Sequence, residues 1–148
     1  LLRVLILKSH KSSTKNYQLE EYEKALPLYQ RDLEISEKVL GPQHPSVATT
    51  QSNLAGLYRQ MGEYEKALPL YQKALGIIEK VLGPQHPSVA TTLNNLAALY
   101  YYTERYEEAL SLFESSLKIF ENKLGSGHPN FKTTEQNIQA LKAKMKKK

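Results

Sequence analysis

A chain of 148 residues with 41% hydrophobic and 24% charged side chains has the balance of a globular domain, and its formal charge of +5 resides in Lys142, Lys144, Lys146, Lys147 and Lys148, which leaves the rest neutral. The absence of cysteine excludes a disulfide framework, a thiolate metal site and a cysteine nucleophile, and no Asn-x-Ser/Thr acceptor occurs. The apolar run at residues 4–7 falls far short of the roughly 20 residues that cross a bilayer, so no membrane span is expected and a reducing, cytoplasmic setting is.

Residues 1–17 come first, as an irregular segment or a degenerate helix. Leucines and valine up to Leu7 give way to a polar run, Ser9 to Asn16, with no apolar stripe. Two readings remain: Leu1 to Leu7 form an improvised cap over the first helix B, or the regular partner of that helix has been lost by truncation. From Gln18 the chain repeats itself. EYEKALPLYQ at Glu21 returns at Glu63 and GPQHPSVATT at Gly41 returns at Gly83, an offset of 42 both times, and a diverged third copy runs over 105–134. A period of that length signals a solenoid.

Within the period two kinds of helix alternate. Helix B is predicted over 21–40, 63–82 and 105–124; its middle copy places Tyr64, Ala67, Leu68, Tyr71, Ala74, Leu75 and Ile78 on one face. Helix A is predicted over 45–61 and 87–103, on the stripe Val47, Gln51, Leu54, Tyr58 and Met61, and a terminal capping helix begins at 129. Gly41, Gly83 and Gly125 suit left-handed caps, and Pro45, Pro87 and Pro129 suit first helical positions. Two choices run against the pattern. Pro27 and Pro69 lie a turn inside helix B, which predicts a bent first turn, and Glu104 replaces the corner glycine Gly62, which predicts a strained or open corner. The array thus spans 18–141, followed by a Lys-rich tail at 142–148.

Histidines 44, 86 and 128 recur once per repeat, too far apart to share a metal, and read as helix-start residues ahead of proline. No phosphate loop, nucleophile elbow or H-E-x-x-H motif occurs, so no enzyme, no cofactor, no metal and no small-molecule substrate are expected. Most tyrosines fall at repeating core positions. Tyr101 and Tyr102 break the pattern and are predicted to face solvent on the inner side, where an adjacent aromatic pair suits an apolar anchor. On helix A, Thr49, Ser52, Asn53 and Arg59 share the face opposite Val47, Leu54 and Tyr58. Their counterparts Thr91, Asn94 and Asn95, with Asn137 in the third copy, continue it into one polar groove. The competing reading is that each asparagine bonds between neighbouring A helices and merely holds the curvature.

Alanine, leucine and tyrosine at helix-hairpin spacing resemble the tetratricopeptide repeat. The 42-residue unit, with EYEKALPLYQKAL, EKVLG, HPSVATT and NNLAALY, is most similar to the repeats of kinesin light chains and their bacterial relatives, over 18–141. The resemblance implies an all-α, right-handed superhelical solenoid of antiparallel helix hairpins. It also implies a protein or peptide partner held in a concave groove, with Asn53, Asn95 and Asn137 on the peptide backbone, as in a cargo-reading adaptor. The long coiled coil that joins kinesin light chains to the motor has no counterpart in these residues. Beside the asparagines, Arg59 suits an acidic residue of the partner and Tyr101 with Tyr102 an apolar one. A structural spacer or oligomerisation segment is the alternative function. Nucleic acid is not an expected partner beyond non-specific attraction to the lysines.

Overall fold

The computed structural model describes the backbone of residues 2–147 and the side chains of residues 18–147. Six helices follow one another, α1 (Leu2–Leu40), α2 (Pro45–Gln60), α3 (Tyr64–Leu82), α4 (Pro87–Tyr102), α5 (Tyr106–Leu124) and α6 (Pro129–Lys146), and no strand occurs among the described residues. Each packs mainly on the helices before and after it, so the chain is an all-α repeat solenoid whose stability is a sum of neighbour contacts.

The helix starts explain the recurring histidines. His44, His86 and His128 are N-caps whose Nδ1 atoms accept the backbone N–H of Ser46, Ser88 and Asn130, each at 3.1 Å, with proline next in line at the first helical position. Each imidazole thereby satisfies a backbone donor that the helix itself leaves orphaned.

Corners divide into two types. After α3 and α5 the chain turns at Gly83 (φ 92°, ψ 152°) and Gly125 (φ 85°, ψ 159°). These are not the left-handed helical caps that the sequence suggests. Their ψ places them in a region that essentially only glycine enters, because a Cβ there meets the backbone. The other corner type joins helix A to helix B and needs one residue at positive φ, Gly62 (φ 79°) after α2 and Glu104 (φ 61°) after α4. Glu104 is the non-glycine residue at positive φ among the described residues, as its substitution for glycine foreshadows. Glu104→Gly is expected to raise stability by about 1 kcal/mol, roughly 2 to 4 °C in thermal unfolding, since the strain relieved exceeds the backbone entropy gained by the unfolded chain.

At the first such corner the repeat phase falls on Glu20, and there the helix does not turn. Helix B was expected to begin at residue 21, yet α1 runs from Leu2, because no glycine or proline precedes Pro27 and the run Leu19, Glu20, Glu21 favours helix. The cap expected of residues 1–17 concerns side chains outside the described residues. Helices α1 and α3 also continue through Pro27 and Pro69. Proline 69 removes the N–H that would bond the Glu65 carbonyl, and both residues are exposed to solvent.

Alanines make the close packing possible. Ala48, Ala55, Ala67, Ala74, Ala90 and Ala97 are wholly buried where A and B helices meet, around Leu54, Tyr71, Ile77, Leu96 and Leu99. Phe120 and Phe131 tie α4, α5 and α6 together through Val89 and Leu93. The outer face of α6 differs from that of α2. Where α2 has Ala48, Gln51, Ala55 and Tyr58, α6 has Lys132, Glu135, Gln139 and Lys142, all exposed. Only its inner stripe, Phe131, Thr134, Ile138 and Leu141, is buried. The helix extends to Lys146, so Lys142, Lys144 and Lys146 stand on α6 rather than in a separate tail, and Lys142 Nζ lies 3.8 Å from Glu114.

Candidate functional site

Helices α4 and α6 lie side by side as successive A helices, and the residues that the sequence singled out near their ends converge there. Ala98, Tyr101 and Tyr102 from α4, Asn137, Ala140 and Leu141 from α6, and Phe113 from α5 line a hollow of about 320 Å3. Ala98 and Ala140 share one repeat position, and their small side chains leave the space that the aromatics border. Phe113 and Leu141 are buried beneath it. The wall is therefore apolar, with the Asn137 amide to donate and accept hydrogen bonds.

The two tyrosines differ. Tyr102 is 54% exposed, as expected, and its ring stacks on Tyr64 with centroids 5.7 Å apart and planes within 3°. Stacking fixes an otherwise free ring in place. Tyr101, expected to face solvent, is instead half-buried, 5.7 Å from both Tyr102 and Tyr106. Its hydroxyl accepts from Lys144 Nζ at 3.3 Å, and the ammonium stands 5.0 Å from the Tyr101 ring centroid. That hydrogen bond, and then the charge interaction with the Tyr101 phenol, holds Lys144 above the usual lysine range. Lys144 places one cation beside the aromatic pair, and the repeat shows where it comes from: one period on from Tyr102. Composition alone assigned it to a solvated tail.

The polar stripe divides on inspection. Asn53 and Asn137 are exposed and Asn95 is half-buried, at one repeat position on α2, α6 and α4. Asn94 does something else. Its Nδ2 donates to Thr134 Oγ1 at 2.8 Å, across from α4 to α6, and the Thr134 hydroxyl in turn donates to the Asn130 carbonyl at 2.8 Å. Thr134 is wholly buried, so Asn94 fixes the spacing of the two A helices. Asn94→Ala is expected to lower stability by about 1 kcal/mol, read by denaturant unfolding, because it strands a buried acceptor. Thr49 and Thr91 are exposed, with their hydroxyls turned back onto the Pro45 and Pro87 carbonyls at 3.4 and 3.2 Å. Ser52 and Arg59 are half-buried on α2. Burial pushes the Tyr71 phenol up, and the nearby Arg59 guanidinium offsets that only in part. The structure thus brings Tyr101, Tyr102 and Asn137 into one hollow, while Thr49, Ser52, Asn53, Arg59, Thr91, Asn94 and Asn95 lie outside its lining.

Among the described residues, no group of three His, Cys, Asp or Glu side chains could hold a metal ion, and no helix is long and apolar enough to cross a membrane.

Comparison with known proteins agrees with the geometry. The family model for the tetratricopeptide repeat matches residues 12–77 and 46–122. Among solved structures, BtubC (BKLC) from P. vanneervenii is 29% identical with a TM-score of 0.76, over 82% of this chain and 49% of that one. A protein of P. anserina described as a kinesin light chain with nearly identical TPR-like repeats is 27% identical with a TM-score of 0.76, over 91% of this chain and 64% of that one. The chain therefore spans about half to two thirds of the length of these neighbours. The curated protein sequences give no match.

Proposed function

The chain belongs to the tetratricopeptide repeat family and resembles kinesin light chain repeats, and from that premise we propose that it is an adaptor module, binding an extended segment of a partner protein along its A helices without catalysing a reaction. Repeats of this family mediate protein–protein interaction and are typically non-enzymatic scaffolds. The observation that carries the finer reading is the hollow between α4 and α6, with Tyr101 and Tyr102 on its rim and the Asn137 amide beside them. An apolar side chain of the partner fills it, while Asn53, Asn95 and Asn137 exchange hydrogen bonds with the partner's backbone. Neighbouring A helices are about 10 Å apart and an extended peptide advances about 3.3 Å per residue, so one asparagine serves every third residue. Arg59 and Lys144 flank that track and suit acidic side chains. With no cysteine in the chain, a reducing compartment is compatible, and we assign the protein to the cytoplasm.

Selection of binders from a random displayed peptide library is the direct test. The reading expects one recurring apolar or aromatic residue in the selected peptides, with binding that Asn137→Ala weakens by about 1 to 3 kcal/mol in calorimetric titration. Peptides that bind the variant and the parent chain alike overturn the placement of the site.

A further inference from the structure

The hollow between α4 and α6 has a counterpart one repeat earlier, between α2 and α4. Three of its lining residues are the same in both places, since Asn137, Ala140 and Leu141 repeat Asn95, Ala98 and Leu99. The other four differ, and each changes toward the apolar. Gly56 becomes Ala98, Arg59 becomes Tyr101, Gln60 becomes Tyr102 and Tyr71 becomes Phe113. The first three changes alter walls and rim, and the fourth alters the floor.

Tyr71 and Phe113 present the same ring with and without a hydroxyl, and both are buried, at 1% and 4% exposure. The Tyr71 oxygen reaches beneath α2 to 3.5 Å from where a Cβ on Gly56 would stand, with the Arg59 guanidinium near it. At the later site Ala98 supplies that Cβ and Phe113 supplies no hydroxyl. The floor that Phe113 and Leu141 form therefore holds no hydrogen-bonding side chain, and the polar groups of the lining, the Asn137 amide and the Tyr101 and Tyr102 phenols, stand above it. A side chain that enters leaves its water behind, which favours an apolar tip and penalises a polar one.

Granted the binding groove proposed above, we infer that Phe113 is its specificity-determining residue, restricting the hollow to a partner side chain without a polar tip, aliphatic or phenyl. The same residue sets the register. Two equivalent places along the groove offer an asparagine, an alanine and a leucine, but a slip by one repeat would carry the partner's apolar residue from Phe113 and the tyrosine pair to Arg59, Gln60 and the Tyr71 hydroxyl. Covering those polar groups with an apolar side chain costs their hydration and returns no hydrogen bond. An extended partner therefore docks in one register, with its apolar residue between α4 and α6.

Calorimetric titration of a library-selected peptide into the full chain and into its Phe113→Tyr variant tests the inference. The variant is expected to fold, as circular dichroism checks, because Tyr71 shows the hydroxylated ring accommodated at the same repeat position of α3. By the repeat, the added hydroxyl stands beside the Ala98 Cβ in the hollow, so the variant is expected to bind about tenfold or more weakly. A second arm leaves the protein unchanged. The parent chain is expected to bind about tenfold or more weakly to the same peptide with its apolar residue replaced by the nearest polar counterpart, tyrosine for phenylalanine or threonine for valine. Equal binding by parent and variant, or of the two peptides by the parent chain, overturns the role of Phe113. If Asn137→Ala still weakens binding in that case, the groove stands and this inference alone fails; if Asn137→Ala is also without effect, the groove itself is misplaced.

Discussion

Ile77→Ala is expected to destabilise the protein by about 2 to 5 kcal/mol, and Ile35→Ala, the same substitution one repeat earlier, by less than about 1 kcal/mol. The two isoleucines occupy the same repeat position in closely matched sequence, so intrinsic propensity nearly cancels from the comparison. What differs is cover. Ile77 packs with Val47 and Ala48 of α2 and with Ala74, and is 3% exposed; Ile35 is 49% exposed. Removing Ile77 leaves a cavity between packed helices, which costs more than the lost transfer energy because the surroundings relax into it only partly. Denaturant unfolding of both variants at low micromolar concentration reads the difference. Equal losses would mean that α1 has a helix A of its own.

Tyr102→Ala is expected to weaken binding of a library-selected peptide by about 2 kcal/mol or more, with only a small loss of stability. The ring is more than half exposed, so truncation opens no core cavity, and the folded chain loses chiefly the stack on Tyr64, worth about 0.5 to 1.5 kcal/mol. Held by that stack, Tyr102 gives up little freedom when a partner side chain covers it. The neighbouring asparagines on α4 separate the two roles further. Asn94→Ala acts on stability through Thr134, whereas Asn95→Ala acts on binding and leaves thermal unfolding nearly unchanged. Should Asn95→Ala cost stability and spare binding, the asparagine positions serve the scaffold.

Much of the fold was legible because the chain states it repeatedly. Period 42, proline at each A-helix start and glycine after each B helix make one pattern, and a solenoid needs only neighbour contacts to realise it. The corner at Glu104 was readable for the same reason, as a break in that pattern. Less legible were features that depend on the absence of a neighbour. Tyr29 and Ile35 carry no such signal in themselves; it lies in the polar run at 9–16 and in Asp32, Glu34 and Ser36 where α3 has Ala74, Gly76 and Ile78. Straightening of α1 through Glu20 likewise reflects helix propensity unopposed by a glycine, while at Glu104 the chain turns without one.

At the site, side-chain identity located the Tyr101 and Tyr102 pair, but not their surroundings. Helical periodicity assigns a direction to each residue and cannot tell that Lys144, on a helix with no tyrosine of its own, crosses to the Tyr101 hydroxyl. Nor could it separate Asn94 from Asn95. Those two are adjacent in sequence and both polar, and only the position of Thr134 on the neighbouring helix commits one of them to the scaffold.

Chemical-shift mapping of the amides and side-chain amides during titration with a selected peptide tests the binding groove most directly. The account predicts that the largest changes fall on Asn95, Asn137, Tyr101, Tyr102 and Ala140, on facing surfaces of α4 and α6, and that they saturate together at one peptide per chain. Saturable changes confined to the outer surfaces of α3 and α5, with these residues unmoved, would contradict it.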